Sequence, residues 1–390
     1  MTVAIFYGST KPLNVEEYLR SMIEEMNFLI EHGIVINGKN IAIKLRAIIA
    51  DTPARSFVKG IVGHTGYAGC MKCTVHGEYN KAGRTVVFPG VNAPKRTDQG
   101  FREHEYPKHC KVRTPLLDLR GFDMINDVIV ADRLHLIDLG VMKRLLIGWR
   151  DGSLGTKRWS TTQCDQITGA LGIIKLPIEI HRPLRPIVYA GRWKGSEFAS
   201  FLHYASIVVL KEHVSQDCYQ HFLLFFCGVT LLSSSVYRRK WPLAGQLLEQ
   251  FVAQYSVVYG ERYVGSNVHN LQHIYEEVAR LGPLPSLSTY PFENELQHLK
   301  GLLRGGNKNL EQAINRLSEL DNFHMSSYKE SMAPNTPLCR ENGKFSILRV
   351  RRNFVLRNDS RNCWFLTKDN NIMRDSFNCF NSSSQSMGEN

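Results

Sequence analysis

The chain has 390 residues, 43% of them hydrophobic, a length and apolar fraction that suit about two to three globular domains with real cores. A formal net charge of +12 and a pI near 9.2 favour a polyanionic partner, either nucleic acid or an anionic membrane surface. The nine cysteines are odd in number and irregularly spaced, and MTVAIFYGST lacks the charged start and apolar run of a signal peptide; both speak against a secreted disulfide framework and for a reducing compartment.

Residues 2–7 read as a short apolar strand. An amphipathic helix follows: Asn14 can cap it, Glu17 completes a capping box and Gly33 ends it, with Val15, Tyr18, Leu19, Met22, Met26 and Leu29 on one face. IAIKLRAIIA (41–50) alternates as a strand, Ile41, Ile43, Leu45, Ala47 and Ile49 against Lys44 and Arg46, and stops at Pro53. Residues 60–114 are rich in Gly, His, Cys and Arg, have little periodicity and need a staple. Order returns with a strand-like FDMINDVIVAD and a helix-like GVMKRLLIGW.

Residues 160–280 form a helical block. Its most apolar run, 222–236, is too short for a bilayer and reads as a buried helix. Two further helices are expected at 290–304 and 310–320. In the first, Phe292, Leu296, Leu299 and Leu303 mark the buried side. Beyond residue 322, FSILRVRRNFVLR and NCWFLTK suggest a small β-module, and the last dozen residues have the composition of a disordered tail.

Several groups can carry chemistry. Asp51 ends a strand, where a carboxylate can hold Mg²⁺ or simply cap the turn before Pro53. Cys70-x-x-Cys73 has the bite of a tetrahedral Zn²⁺ site. His64, His76, His104, His109 and Cys110 lie near, and His104 and His109 are assigned as the second pair; two free thiols are the alternative. Asp132-x-x-His135, with Asp138 beyond, can bind metal or move protons, or can be a capped helix start. Glu293 and Glu295 point to different helix faces, so one of them can join a shared site. Basic residues interleave with aromatics at Lys143, Arg144, Trp149, Arg150, Lys157, Arg158 and Trp159; at Arg182, Arg185, Arg192, Trp193 and Lys194; and at Arg349, Arg351, Arg352 and Phe354. This mixture suits phosphate contact with base stacking, or ordinary solvated faces.

KPLNVEEYL, ADTPARSFVKGIVGHTGYAGCMKCTVHGEY, ADRLHLIDLGVMKRLL, GRWKGSEFASFLHY, NVHNLQHI and YPFENELQHLKGLLR, in this order, resemble the core of CACTA (En/Spm-like) DNA transposases over about residues 5–320. The resemblance implies an RNase H-like domain whose two aspartates and one glutamate hold two Mg²⁺ or Mn²⁺ ions for DNA cleavage and strand transfer. Asp51 then stands as the second acidic residue, Glu293 as the glutamate with Glu295 as the fallback, and Asp132 and His135 as the family's D-x-x-H; Arg182, Arg185, Arg192 and Lys194 are the DNA-contact candidates. The family's first aspartate belongs upstream of the strand that opens this sequence. The chain is therefore expected to be truncated or co-opted, and catalytically incomplete. A non-catalytic zinc-stapled module that binds DNA or protein is the alternative.

The expected fold is α/β (α+β): a partial RNase H-like core at 1–59, a Cys/His zinc module at 60–120, a return of the core at 121–150, a helical insertion at 151–285, core helices at 286–320, a β-rich module at 321–378 and a disordered tail at 379–390. DNA is the expected partner and the nucleus the expected location. No membrane is involved, and a homo-oligomer is left open.

Overall fold

A computed structural model describes residues 4–177 and 179–327 and, beyond them, strands at 338–341, 344–351, 354–357, 364–366 and 372–374. The architecture is mixed α/β with helix far outweighing strand. It divides into two compact units, Met1–Leu171 with Leu184–Gly301 and Gly172–Pro183 with Leu302–Asn390.

The first unit opens with residues 4–7 in no regular structure, Phe6 and Tyr7 exposed, so the strand expected there does not form. Helix α1 (Val15–His32) starts where Asn14 accepts the Glu16 N–H (2.9 Å). The capping box is altered, because Glu17 takes the side-chain amide of Asn14 rather than its backbone. Val15, Leu19 and Ile23 form the buried stripe, with Tyr18 left outside. Asn37-Gly38, both at positive φ, then turns β1 (Ile34–Ile36) into β2 (Lys39–Ile41), as a two-residue hairpin requires.

The strand expected at 41–50 does not form beyond Ile41: residues 43–47 alternate, with Ile43, Leu45 and Ala47 half-buried and Lys44 and Arg46 exposed, but residues 47–50 are all half-buried. They form one parallel bridge, Ile48 to Val128, rather than a continuous ladder. The Ile48 N–H reaches the Asp127 carbonyl (2.7 Å), and the Ile129 N–H returns to Ile48 (3.3 Å). Asp51 then caps α2 (Thr52–Lys59), which ends on Gly60 in the left-handed region (φ 70°).

An irregular stretch follows, holding the hairpin β3 (Glu78–Asn80) and β4 (Thr85–Val87) and the short α3 (Asp98–Arg102). The segment Val128–Ala131 is fully buried. Its open edge is satisfied by a side chain: the Glu277 carboxylate accepts from Val130 N (3.0 Å) and Ala131 N (2.7 Å). The chain then enters a π-helix, Arg133–Met142, that continues as α4 (Lys143–Asp151).

The helical block comprises α5 (Thr161–Ile173), α6 (Gly195–Ser200), α7 (Ser206–Lys211), α8 (Gln216–Leu232) and α9 (Trp241–Tyr259). Helices α8 and α9 pack along each other around Phe222, Phe225, Phe251 and Tyr255, all fully buried. Among the described residues no helix is long and apolar enough to cross a membrane. The short α10 (Ser266–Asn270), α11 (Ile274–Leu281) and α12 (Tyr290–Leu302) complete the unit's course. The apolar stripe expected to bury α12 does not do so: the helix has no buried residue, and Phe292 and Leu296 are about half exposed.

In the second unit, helix α13 (Asn309–Ser327) precedes β5 (Leu338–Glu341), β6 (Lys344–Arg351) and β7 (Phe354–Arg357), an antiparallel sheet in that order. A separate antiparallel pair joins β8 (Trp364–Leu366) to β9 (Ile372–Arg374). The tail expected at 379–390, and Arg352 of the third basic group, lie outside the described residues.

Candidate functional site

Cys70, Cys73, His269 and His273 come together in the interior, their ligand atoms all within 4.8 Å of one another. Cys70 Sγ lies 3.5 Å from His273 Nε2, Cys73 Sγ 3.3 Å from His269 Nε2, and the two sulfurs 3.5 Å apart. Two thiolates and two imidazoles at such separations are the donor set of a tetrahedral structural zinc site, and this buried group can hold zinc. The N–H groups of Lys72 and Cys73 point at Cys70 Sγ (3.5 and 3.4 Å) and would stabilise a thiolate. Gly69 makes the loop possible, since a Cβ there would meet the Gly63 and Gly66 carbonyls at 2.7 and 2.9 Å. Burial opposes ionisation of Cys70, but hydrogen bonds from Cys73 and both imidazoles hold its thiol well below the usual range, and the Cys73 thiol is pushed up in return.

The cysteines are the pair read from the sequence; the histidines are not. His104 sits exposed at φ 62°, away from the cluster. His109 is buried, but its Nδ1 engages the Ala68 carbonyl (2.7 Å), so it braces the cysteine loop from behind. Burial, with the charges of Arg96 and Lys59, pushes its pKa down to about 3. His64, His76 and Cys110 are likewise outside the group, His76 stacking on Tyr67. Two buried cations hold the loop's backbone, Arg96 Nε donating to Cys70 O (3.1 Å) and Lys59 Nζ to Met71 O (3.5 Å), and a third, Lys72 within the loop, donates Nζ to Ile125 O.

A second arrangement surrounds Asp132, which caps the π-helix and has no exposed surface. Its Oδ1 accepts from Leu134 N (3.1 Å), Thr289 N (3.0 Å) and Thr289 Oγ1 (2.9 Å), and its Oδ2 takes His135 Nδ1 at 2.6 Å. Burial pushes this carboxyl up, but the His135 and Thr289 bonds outweigh it and hold the group below the usual carboxylate range. Both oxygens are thus engaged, and Asp132 orients an imidazole rather than offering itself to a metal. Asp138 is engaged too, by Arg133 Nε (3.0 Å) and Tyr290 Oη (3.0 Å).

His135 turns Nε2 towards Glu293 Oε1, 3.8 Å away. Its pKa is raised first by the Asp132 hydrogen bond, against burial, and then by the charges of Asp132, Asp51 and Glu293. Glu293 is the outer carboxylate that approaches the ring directly, at 3.8 Å. Thr289 links the parts: its carbonyl accepts the Glu293 N–H (3.0 Å) at the start of α12 while its hydroxyl and N–H hold Asp132. Glu295 instead pairs with His298 (3.8 Å). Asp51 is half-buried, with Oδ1 accepting the Ala54 N–H (2.8 Å), so it caps its helix.

Of the DNA-contact candidates, Arg182, Arg192 and Lys194 are exposed. Arg185 is bound bidentately by the fully buried Glu197 (2.6 and 2.7 Å) and also donates to Arg192 O. Trp149, Trp159 and Trp193 are buried, which removes them as stacking platforms.

No protein-family model matches this sequence, and no curated protein matches it.

Proposed function

We propose that this chain is a transposase-derived DNA-handling protein in which Asp51, His135 and Glu293 line a site for a divalent cation, Mg²⁺ or Mn²⁺, that meets DNA phosphate. The reading rests on one observation above the others: the His135 imidazole lies between Asp132, at 2.6 Å, and Glu293, at 3.8 Å, from segments far apart in the chain, and the Ile48–Val128 bridge brings the segment that ends at Asp51 beside them. The parallel bridge between residues 48 and 128 supports an RNase H-like origin, because it sets the segment ending at Asp51 beside the one ending at Asp132. Two carboxylates and an imidazole suffice for one hard cation. Two-metal in-line attack needs a further carboxylate, so metal-dependent DNA binding is the activity expected of these residues, and strand cutting by them alone is not.

The test is DNA affinity with and without Mg²⁺. Mg²⁺ should tighten binding, and Asp51→Ala with Glu293→Ala should remove that increment; an increment that survives both substitutions contradicts the assignment. A second reading is favoured by the Cys70–Cys73–His269–His273 cluster: a zinc-stapled module that binds DNA without metal chemistry at the acidic residues. It predicts salt-sensitive DNA binding that is indifferent to Mg²⁺.

A further inference from the structure

Several arginines of the first unit are engaged in ion pairs. Arg20 pairs with Glu16 and Asp118, Arg102 with Asp98, Arg133 with Asp138, Arg185 with Glu197, and Arg280 with Asp127. The turn between α8 and α9 is different. Ser235–Lys240 is a 3₁₀ segment of sequence SVYRRK in which every residue is exposed, and none of Arg238, Arg239 and Lys240 makes an ion pair among the described residues. The regular geometry is broken at Tyr237 (φ −91°, ψ 15°), and the three successive cations occupy the last turn before α9.

The turn is nevertheless held firmly. Ser234 caps it through Val236 N (3.3 Å), and the buried Trp241 donates Nε1 to Leu231 O (3.0 Å) and Ser234 O (3.2 Å). Arg238 lies over the Trp241 ring at 5.9 Å, which limits the freedom its guanidinium would lose on binding. The exposed Tyr237 offers an aromatic surface beside the charges.

Its location adds direction. Ser233, which leads into the turn, accepts from Arg133 NH1 at 3.1 Å, and Arg133 directly follows Asp132. The basic triplet thus begins five residues beyond a side chain that is bonded to the neighbour of Asp132.

We propose that Arg238, Arg239 and Lys240 form a phosphate-backbone contact that lays duplex DNA from this turn towards the Asp51–His135–Glu293 site. The inference deepens the DNA reading above and rests on it for the choice of polyanion. A fixed aromatic-backed triplet pointing at solvent suits a strand of regularly spaced phosphates better than a fluid lipid surface.

The experiment compares full-length wild type, the triple variant Arg238→Ala/Arg239→Ala/Lys240→Ala and the double variant Asp51→Ala/Glu293→Ala, all zinc-loaded. Binding to a labelled duplex is read by anisotropy across a salt series, with zinc content and thermal midpoint as controls for folding. The triple variant should keep both controls, lose tenfold or more in affinity, and show a log–log salt slope shallower by about two to three, near 0.9 per cation removed. An unchanged affinity and slope would overturn the proposal, as would the absence of duplex binding by the wild type. Loss of binding to phosphatidylserine vesicles with duplex affinity intact would overturn it in favour of a membrane surface. The double variant judges the metal site separately: it should keep the salt slope and lose only the Mg²⁺ increment, so either idea can fail without the other.

Discussion

Lys72 and Glu277 form a buried ion pair, Nζ to Oε1 at 2.6 Å, that joins the inside of the Cys70–Cys73 loop to the helix one turn beyond His273. The same carboxylate holds the N–H groups of Val130 and Ala131, and the next residue is Asp132. The Cys70–Cys73–His269–His273 group and the His135 dyad are therefore linked by one chain of buried contacts. Removing one partner leaves an uncompensated charge in the interior, which costs about 3–5 kcal/mol. Lys72→Met and Glu277→Ala should each lower unfolding free energy by that order in denaturant titrations. A loss under 1 kcal/mol in both would mean that the pair does not tie these parts together.

Metal binding should follow the geometry and not the sequence spacing around the cysteines. Wild-type protein should carry about one zinc per chain, and Cys70→Ser, Cys73→Ser, His269→Ala and His273→Ala should each abolish retention after dialysis. His104→Ala should leave the zinc content unchanged. Elemental analysis of the purified variants decides the point; loss of zinc in His104→Ala with retention in His269→Ala would reverse the assignment.

The pH behaviour of the dyad has a definite sign. His135 has a folded pKa above its ordinary 6.5, so its contribution to stability is full below about pH 6.5 and is lost as pH rises through the folded value. Asp132 has a folded pKa below 3.8, so its contribution is present above about pH 4 and is lost as pH falls through that lower value. The pair stabilises most between these limits. Histidine ring NMR should show His135 titrating above 6.5 and Asp132→Asn bringing it down, while His109 and His203 titrate near 3. An unmoved His135 in Asp132→Asn would remove the coupling.

What the sequence made readable, and what it hid, follows from the range of the interactions. The α1 cap at Asn14, the C-x-x-C pair and the alternation of residues 43–47 are local patterns, and each has its physical cause within a few residues. His269 and His273 stand about 200 positions from their cysteines, and the H-x-x-x-H spacing in NVHNLQHI was the available signal, since it complements C-x-x-C in zinc sites. Glu277 and Thr289 had no such signal: a glutamate that caps a strand edge from another helix looks like any surface glutamate in sequence. The reading of α12 erred differently, because periodicity identifies an apolar face but not whether anything covers Phe292 and Leu296. The tryptophans among the basic residues likewise owe their burial to neighbours that composition does not reveal.

Arg185 separates a structural cation from a DNA-contacting one. Its guanidinium neutralises the buried Glu197, so Arg185→Ala should lower the thermal midpoint and leave the salt slope of DNA binding unchanged. A shallower slope without a drop in midpoint would return Arg185 to the DNA interface.

The proposed sharing of one cation by Asp51, His135 and Glu293 is tested most directly by adding Mn²⁺ to the zinc-loaded protein and following histidine ring signals. The account predicts saturable broadening of the His135 resonances at about one Mn²⁺ per site, and its disappearance in Asp51→Ala/Glu293→Ala. Broadening that is absent, or that persists equally in the double variant, would show that these side chains do not share a metal.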